Sequence, residues 1–248
     1  MNKIAIITGS SKGIGAATAR RLALDGYDVC VNYLSNEDAA NKVAEQAKRH
    51  GVKAIAIKAD ISSEIEVERL FEKVDQELGC PFALVNNAGI LFQQSRVVDM
   101  TAERINKVLM VNVTGSFLCS KQAIIRMSTK HGGSGGVIVN ISSVASRIGA
   151  AGEYVDYAAS KGAIDTLTVG LASEVADEGI RVNCVRPGFI YTDMHKSGGE
   201  PNRVDRLKES LPIKRGGQPE EVAAAVSWLI SNESSYTTGA FIEVSGGR

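Results

Sequence analysis

Short runs of β-branched and aliphatic residues alternate with longer amphipathic segments along the whole chain, and no other feature narrows the possible folds as far. The run "IAIIT" precedes "IGAATARRLALD", "YDVCVNY" precedes "EDAANKVAEQAKRH", "VKAIAIKAD" precedes "EIEVERLFEKVDQEL", and "FALVNNAG" precedes "AERINKVLMVNVTGSFLCSKQAIIRM". The rhythm continues through "GGVIVNIS", the helical "YAASKGAIDTLTVGLASEVADE", "IRVNCVRPG", "PEEVAAAVSWLIS" and "AFIEVSGG". Runs that are apolar at consecutive positions belong to strands buried on both faces, as in a parallel sheet sandwiched by helices. The alternation therefore predicts an α/β chain with seven parallel strands. Gly26, Gly51 and Gly179 each follow a charged last helical turn, where a left-handed cap is wanted. No linker or repeat divides the 248 residues, so one domain over 1–248 is expected, and a 44% hydrophobic content supplies a sizeable core.

One segment breaks the rhythm: "PGFIYTDMHKSGGEPNRVDRLKESLPIKRGGQ", between the sixth strand and the next long helix. Long insertions in compact domains tend to be functional or mobile. This one leaves the carboxyl end of a strand, where open α/β sheets bind ligands, and it reads as a substrate lid over about residues 188–217.

Charge and cysteine usage bound the function. Twenty-eight basic residues balance twenty-eight acidic ones, so no long-range field favours nucleic acid or an anionic membrane. No stretch approaches the roughly 18 apolar residues of a membrane span, and the apolar run in "MNKIAIITGS" is too short for a signal-peptide core. A cytoplasmic location is expected, with neither nucleic-acid nor membrane partners. Cys30, Cys80, Cys119 and Cys184 lack a paired ligand spacing and read as buried thiols. His50, His131 and His195 lie far apart, so no metal site is expected, although His195 falls where it could line a pocket mouth.

Two motifs carry chemistry. "TGSSKGIG" follows the first strand and opens the first helix. Gly9 permits a tight turn, Gly13 lets backbone approach a pyrophosphate, and Gly15 lets helix and strand pack closely, while the helix N-terminus offers unpaired N–H groups to an anion. The second motif is "YVDYAASK". A helix sets residues four apart on one face, so Tyr157 can meet Lys161, whereas Tyr154 has Ala158 in the lysine's place. Reducing a ketone needs a proton delivered to oxygen, and a phenol with an ordinary pKa near 10 is a poor base at neutral pH. A lysine one turn away favours the phenolate, which makes Tyr157 the candidate acid/base and Lys161 its tuner. Asn112 sits among β-branched residues, with Gly115 close by, inside a long helix; a local distortion is expected there, exposing a backbone carbonyl.

With these motifs in hand the chain resembles the short-chain dehydrogenase/reductases, whose nucleotide motif is T-G-x-x-x-G-x-G and whose catalytic motif is Y-x-x-x-K. The resemblance covers essentially the whole chain: "NNAG" (Asn86 to Gly89), "VNVTGSF" with Asn112, "NISSVAS" with Ser143, "YAASK" and "RPGFIYT" follow in the family's order. It implies a single Rossmann domain with a seven-stranded parallel sheet, and reversible hydride transfer between a nicotinamide and a small carbonyl or alcohol substrate. It also implies that Ser143, rather than the neighbouring Ser142, polarises the substrate oxygen. Lys161 would also hold the nicotinamide ribose, and Asn112 would support a relay water. The separation of Ser143 from Tyr157 is one residue longer than the family's, which puts in doubt the shape of the pocket near "RIGAAGEYVD". Glu153 and Tyr154, beside that loop, are candidates for substrate contact together with His195.

The resemblance further implies cofactor contacts at Gly9, Ser11, Lys12, Gly13, Ile14 and Gly15, and at Asn87, Ala88 and Gly89. Asp60 should meet the adenine amino group with Ile61 beside it, and Pro187, Gly188, Ile190 and Thr192 should hold the carboxamide. Asn32 and Tyr33 end the second strand where an acid would bind the ribose hydroxyls of NAD and repel a 2′-phosphate. With that acid missing and Lys12 placed where NADP-preferring members carry a base, NADP(H) is the expected cofactor, with use of NAD(H) left open. Glu37 and Asp38 belong to the next helix start. Two stretches resemble a bacterial subgroup of sugar (glucose 1-) dehydrogenases. The alternatives are a 3-oxoacyl-acyl-carrier-protein reductase, for which Arg126 and Lys130 could supply a basic rim, and a nucleotide-sensing binding protein without turnover. The family's habit of assembly points to a homotetramer, with Ala158, Ala159, Gly162 and Ala163 suited to close helix approach.

Overall fold

The computed structural model describes residues 2–248. Seven parallel strands form one sheet in the order β3-β2-β1-β4-β5-β6-β7. They are β1 (Ile4–Ile7), β2 (Asp28–Tyr33), β3 (Ala54–Lys58), β4 (Ala83–Asn86), β5 (Gly136–Ile141), β6 (Ile180–Pro187) and β7 (Phe241–Val244). The order reverses between β1 and β4, opening a crevice at their carboxyl ends, the place where such sheets bind ligands.

The consecutive apolar runs have the expected cause. In β1, Ala5 and Ile7 point into one layer with Leu22 of α1 (Gly13–Leu24) and with Val226 and Leu229 of α10 (Pro219–Ile230). Ile4 and Ile6 point into the other, with Leu70 and Phe71 of α3 (Glu64–Glu77) and Met127 of α5 (Gly115–Met127). Both layers exclude water, so neither face tolerates a polar alternation. α2 (Glu37–Lys48) covers the first layer, with Asn36 capping it by accepting the Ala39 N–H at 3.0 Å. Gly26, Gly51 and Gly179 adopt φ of +88°, +80° and +76°, as helix-closing residues should.

The irregularity around Asn112 is present. The backbone passes from α4 (Ala102–Leu109) through a π-helical segment, Met110–Thr114, directly into α5. The distortion bends the hydrogen-bond ladder without breaking the rod, and this corrects the reading of the chain as lacking any long apolar stretch. Ala102–Met127 is a continuous helix of 26 residues, with mean hydropathy 1.4 in its most apolar window, long and apolar enough to cross a membrane. Here it packs on β4, β5 and α3. One thiol also departs from expectation: Cys30, Cys119 and Cys184 are buried, whereas Cys80 is exposed in the turn before β4.

Candidate active site

The turn between β1 and α1 forms the floor of a cavity of about 910 Å³ that reaches Tyr157. Gly9 has φ +60°, and a Cβ there would lie 2.9 Å from Ala88. A Cβ on Gly15 would strike the Asn87 amide at 2.5 Å and the Gly9 carbonyl at 2.8 Å. Thr8, whose role the motif alone does not disclose, ties the two loops together: its hydroxyl accepts the N–H groups of Asn87 and Ala88 at 3.0 Å each. The Asn87 amide returns a hydrogen bond to the Thr8 carbonyl at 2.8 Å. At Gly9 and Gly15 only backbone fits; no side chain caps α1, and its first turn carries no acid. Its N–H groups are therefore available to an anion, and the cradle fits a dinucleotide pyrophosphate.

The other expected cofactor contacts, Ser11, Lys12, Ile14, Asp60, Ile61 and Gly89 among them, line the same cavity, as do Pro187, Gly188, Ile190 and Thr192. Two details at the end of β2 differ from the sequence reading. The Asn32 side chain is turned inward: its amide donates to the Ala59 carbonyl at 3.1 Å and its oxygen accepts the Gly9 N–H at 3.1 Å. It braces the glycine turn, with little of its polarity left for a ligand. The end of the strand is also not free of negative charge, because burial and the adjoining Glu37 carboxylate together raise the Tyr33 phenol.

At the far end, α7 (Val155–Glu174) presents Tyr157 and Lys161 from one face, with the Lys161 ammonium 5.6 Å from the Tyr157 ring centre. Lys161 is 3% exposed and donates to the Ile141 carbonyl at 2.7 Å. Burial lowers it to about 8, with Cys184 and Asp165 acting in the opposite direction. Burial also pushes Tyr157 up to about 12, opposed by its hydrogen bond with Ser143. Burial is thus the largest influence on the phenol, which keeps its proton in the neutral range. The two serines separate cleanly. Ser142 donates to the Lys161 carbonyl at 3.1 Å inside the protein, and Ser143 faces Tyr157.

Asn112 is buried, its amide bracketing Ile90 by accepting that residue's N–H at 2.8 Å and donating to its carbonyl at 3.0 Å. It also donates to Ser160 at 3.0 Å, which ties the π-segment to the helix carrying Tyr157. The Asn112 carbonyl is not left free by the distortion, since the Ser116 hydroxyl donates to it at 3.1 Å.

The segment 188–217 closes on itself: Tyr191 donates to the Gly217 carbonyl at 3.0 Å, and Gly217 to the Phe189 carbonyl at 2.9 Å. Between these ends lie α8 (Met194–Ser197) and α9 (Arg203–Leu207). Tyr154 donates its hydroxyl to the Gly198 carbonyl at 3.0 Å. His195 shares its Nε2 proton with the Ile190 carbonyl at 3.0 Å, and burial keeps its pKa down. Arg203, 7% exposed, pairs with Glu153 and, at 2.7 Å, with Glu200, between the rings of Tyr154 and Phe189. Sequence reasoning missed Arg203 and Arg248, both of which line the cavity; they come from distant chain positions without a shared spacing. Arg203→Met would strand the Glu153 carboxylate and leave Glu200 to Arg206. It is expected to cost about 1–3 kcal/mol and to make 188–217 the first segment cut by a protease. Mass-spectrometric mapping of limited digests checks this, and unchanged cleavage would contradict the latch.

Arg126 and Lys130 do not form a rim. Arg126 pairs with Asp75 at 2.7 Å, and Lys130 pairs with Asp177 at 3.0 Å. The Arg126 carbonyl meets Cys80, just before β4, so both bases lie at the amino ends of the strands, opposite the cavity. Among the described residues, no cluster of His, Cys, Asp and Glu could hold a metal ion.

The comparisons point to one family, whose members carry the names of different substrates. A family model described as enoyl-(acyl carrier protein) reductase matches residues 9–248. An uncharacterized oxidoreductase of Escherichia coli K12, YgfF, is 61% identical over 245 residues, spanning 99% of both chains. Glucose 1-dehydrogenase 2 of Bacillus subtilis is 42% identical, covering 99% of this chain and 94% of its own. A short-chain dehydrogenase from Burkholderia cenocepacia, solved in complex with NADP, superposes with a TM-score of 0.90 at 34% identity over 99% of this chain and 97% of that one.

Proposed function

The chain belongs to the short-chain dehydrogenase/reductase family of oxidoreductases, and from that premise we propose that it is an NADP(H)-preferring enzyme that interconverts a carbonyl compound and its alcohol. The observation that carries this reading is the meeting of Tyr157, Ser143 and Lys161 at one end of a cavity whose other end is the glycine turn. NADPH, when bound, supplies the hydride. The Tyr157 phenol, kept protonated by burial, gives its proton to the carbonyl oxygen. Ser143 donates a hydrogen bond to that oxygen, and the Lys161 ammonium holds ribose hydroxyls. The Asn112 side chain keeps α7 and the Ile90 loop in register. A silent nucleotide sensor would need the cradle but not this proton donor.

The preference for NADP(H) rests on Lys12, half of the way into the glycine turn with no acid in the helix turn that follows, and on the NADP complex of the Burkholderia relative. One charge-assisted phosphate contact contributes about 1.5–3 kcal/mol. Lys12→Ala is therefore expected to weaken NADPH about tenfold or more while changing NADH little, as read by fluorescence titration. Equal losses for both nucleotides would show that Lys12 does not read the phosphate.

For the substrate, a sugar is favoured by the name of the Bacillus relative, and an acyl-carrier thioester by the description of the family model. The second reading lacks its basic rim, since Arg126 and Lys130 sit at the wrong end of the sheet. We further propose a homotetramer. On α7, Ala158 is consumed by its own core, but nothing lies within 4 Å of a Cβ added at Gly162 or Gly170, and Val169 is exposed, as is Phe117 on α5. Small residues beside bare apolar ones suit close packing of symmetry-related helices. A light-scattering mass of one chain would refute this.

A further inference from the structure

Part of the wall around Tyr157 is apolar, and several of the polar groups nearby are already engaged. Tyr157 packs in a cluster with Ala145, Tyr154 and Ala158, against which Leu91, Ala150 and Met194 rest. Two larger apolar side chains line the same cavity yet remain open to solvent, Ile148 at 48% and Phe92 at 38% exposure. Three of the polar groups nearby are occupied. The Tyr154 hydroxyl donates to Gly198, the His195 Nε2 meets the Ile190 carbonyl, and both Glu153 oxygens take the Arg203 guanidinium. The Ser143 and Tyr157 hydroxyls serve the reacting oxygen, while Asp193, Ser197 and Arg248 line other parts of the cavity.

A pyranose carries a hydroxyl on most of its carbons, and those set against the apolar part of the wall would leave water without a new partner. An alkyl or aryl group loses nothing of that kind and covers surface on Ile148 and Phe92 that water now wets. We infer that the substrate is a ketone or aldehyde with apolar flanking groups, and its alcohol in reverse, rather than a free sugar. This inference rests on the oxidoreductase reading above and narrows its substrate. The carbonyl carbon takes the hydride that NADPH gives up and the oxygen takes the Tyr157 proton, which solvent restores, so that the carbonyl is reduced to an alcohol as NADPH becomes NADP⁺.

The test uses the full chain with NADPH and a series of 2-ketones from butanone to octanone, together with acetophenone, and with NADP⁺ and either 2-octanol or D-glucose. Each buried methylene should raise kcat/KM about three- to fourfold until the pocket is filled. Glucose should be oxidised at least about a hundredfold less efficiently than 2-octanol, given the unpaired hydroxyls. Ile148→Asp should lower kcat/KM for octanone about tenfold and flatten the dependence on chain length. Phe92→Ser should act in the same direction. Independently of turnover, saturation-transfer NMR should detect acetophenone on the wild-type protein and a weaker signal on the Ile148→Asp variant. A flat chain-length series, or glucose oxidised as well as octanol, would overturn the substrate class while leaving the oxidoreductase reading intact. Absence of turnover with every carbonyl and alcohol, while NADPH still quenches fluorescence, would overturn both.

Discussion

Tyr157→Phe is expected to lower kcat about a hundredfold to ten-thousandfold, the usual range for loss of a general acid, while leaving NADPH affinity within about twofold, since an isosteric ring without its hydroxyl leaves the packing in place. The phenol is nearly enclosed, and burial raises it to about 12, so it carries its proton throughout the neutral range. Removing the hydroxyl removes the donor and also the partner of Ser143, which then has one group fewer fixing its orientation. The ring itself remains, filling the space between Ala145 and Ala158. Tyr154→Phe is the matched control. Its hydroxyl is spent on the Gly198 carbonyl at 3.0 Å, so its loss loosens the 188–217 segment and should raise KM with kcat little changed. Steady-state kinetics of both variants on one ketone decide the assignment. An active Tyr157→Phe beside a dead Tyr154→Phe would reverse it.

Lys161→Met should remove activity and, at neutral pH, make the protein more stable. The ammonium is 3% exposed and held at about 8, well below the ordinary lysine value, because burial disfavours its charge. A group whose folded pKa is depressed in this way binds protons less readily in the folded state than in the unfolded state. The cost of burying its charge is fully present below pH 8, and it fades as the pH rises from there toward the ordinary lysine value. A displacement of this size corresponds to about 3 kcal/mol. Methionine has nearly the same length and no charge, but it leaves the Ile141 carbonyl without the 2.7 Å hydrogen bond it now accepts, which returns about 1–2 kcal/mol. The net expectation is a gain of about 1–2 kcal/mol at pH 7, with the gap closing by pH 10. In kcat/KM the loss should be about a hundredfold to ten-thousandfold, the equivalent of two charge-assisted hydrogen bonds. Urea unfolding at both pH values, beside kinetics, provides the check. A variant less stable than the wild type at pH 7 would mean that the lysine contributes more through its contacts than it costs through desolvation.

Much of the fold was legible in the sequence because the signals for it are local. Consecutive apolar residues in "IAII" report a strand covered on both faces, and Ala5 and Ile6 do point into opposite layers. The separation of four residues puts Tyr157 and Lys161 on one face wherever the helix is placed. β-branched residues beside Gly115 disfavour a regular helix, and the π-segment lies where they are. In each case the residues involved are neighbours in the chain or one turn apart.

What the sequence by itself determined, then, is the parallel sheet, the glycine turn after β1 and the pairing within α7. The tertiary structure alone decided which end of the sheet each base occupies, and it moved Arg126 and Lys130 away from the cavity. It also turned the Asn32 amide inward, engaged the Tyr154 hydroxyl with Gly198, and set Arg203 between Glu153 and Glu200. Burial is also the largest influence on the acidity of Tyr157. The physical reason is common to all of these. Helical and strand periodicity constrain a residue against its near neighbours, whereas desolvation and hydrogen-bond partners depend on chain segments brought together by crossovers, whose side-chain contacts no local spacing encodes.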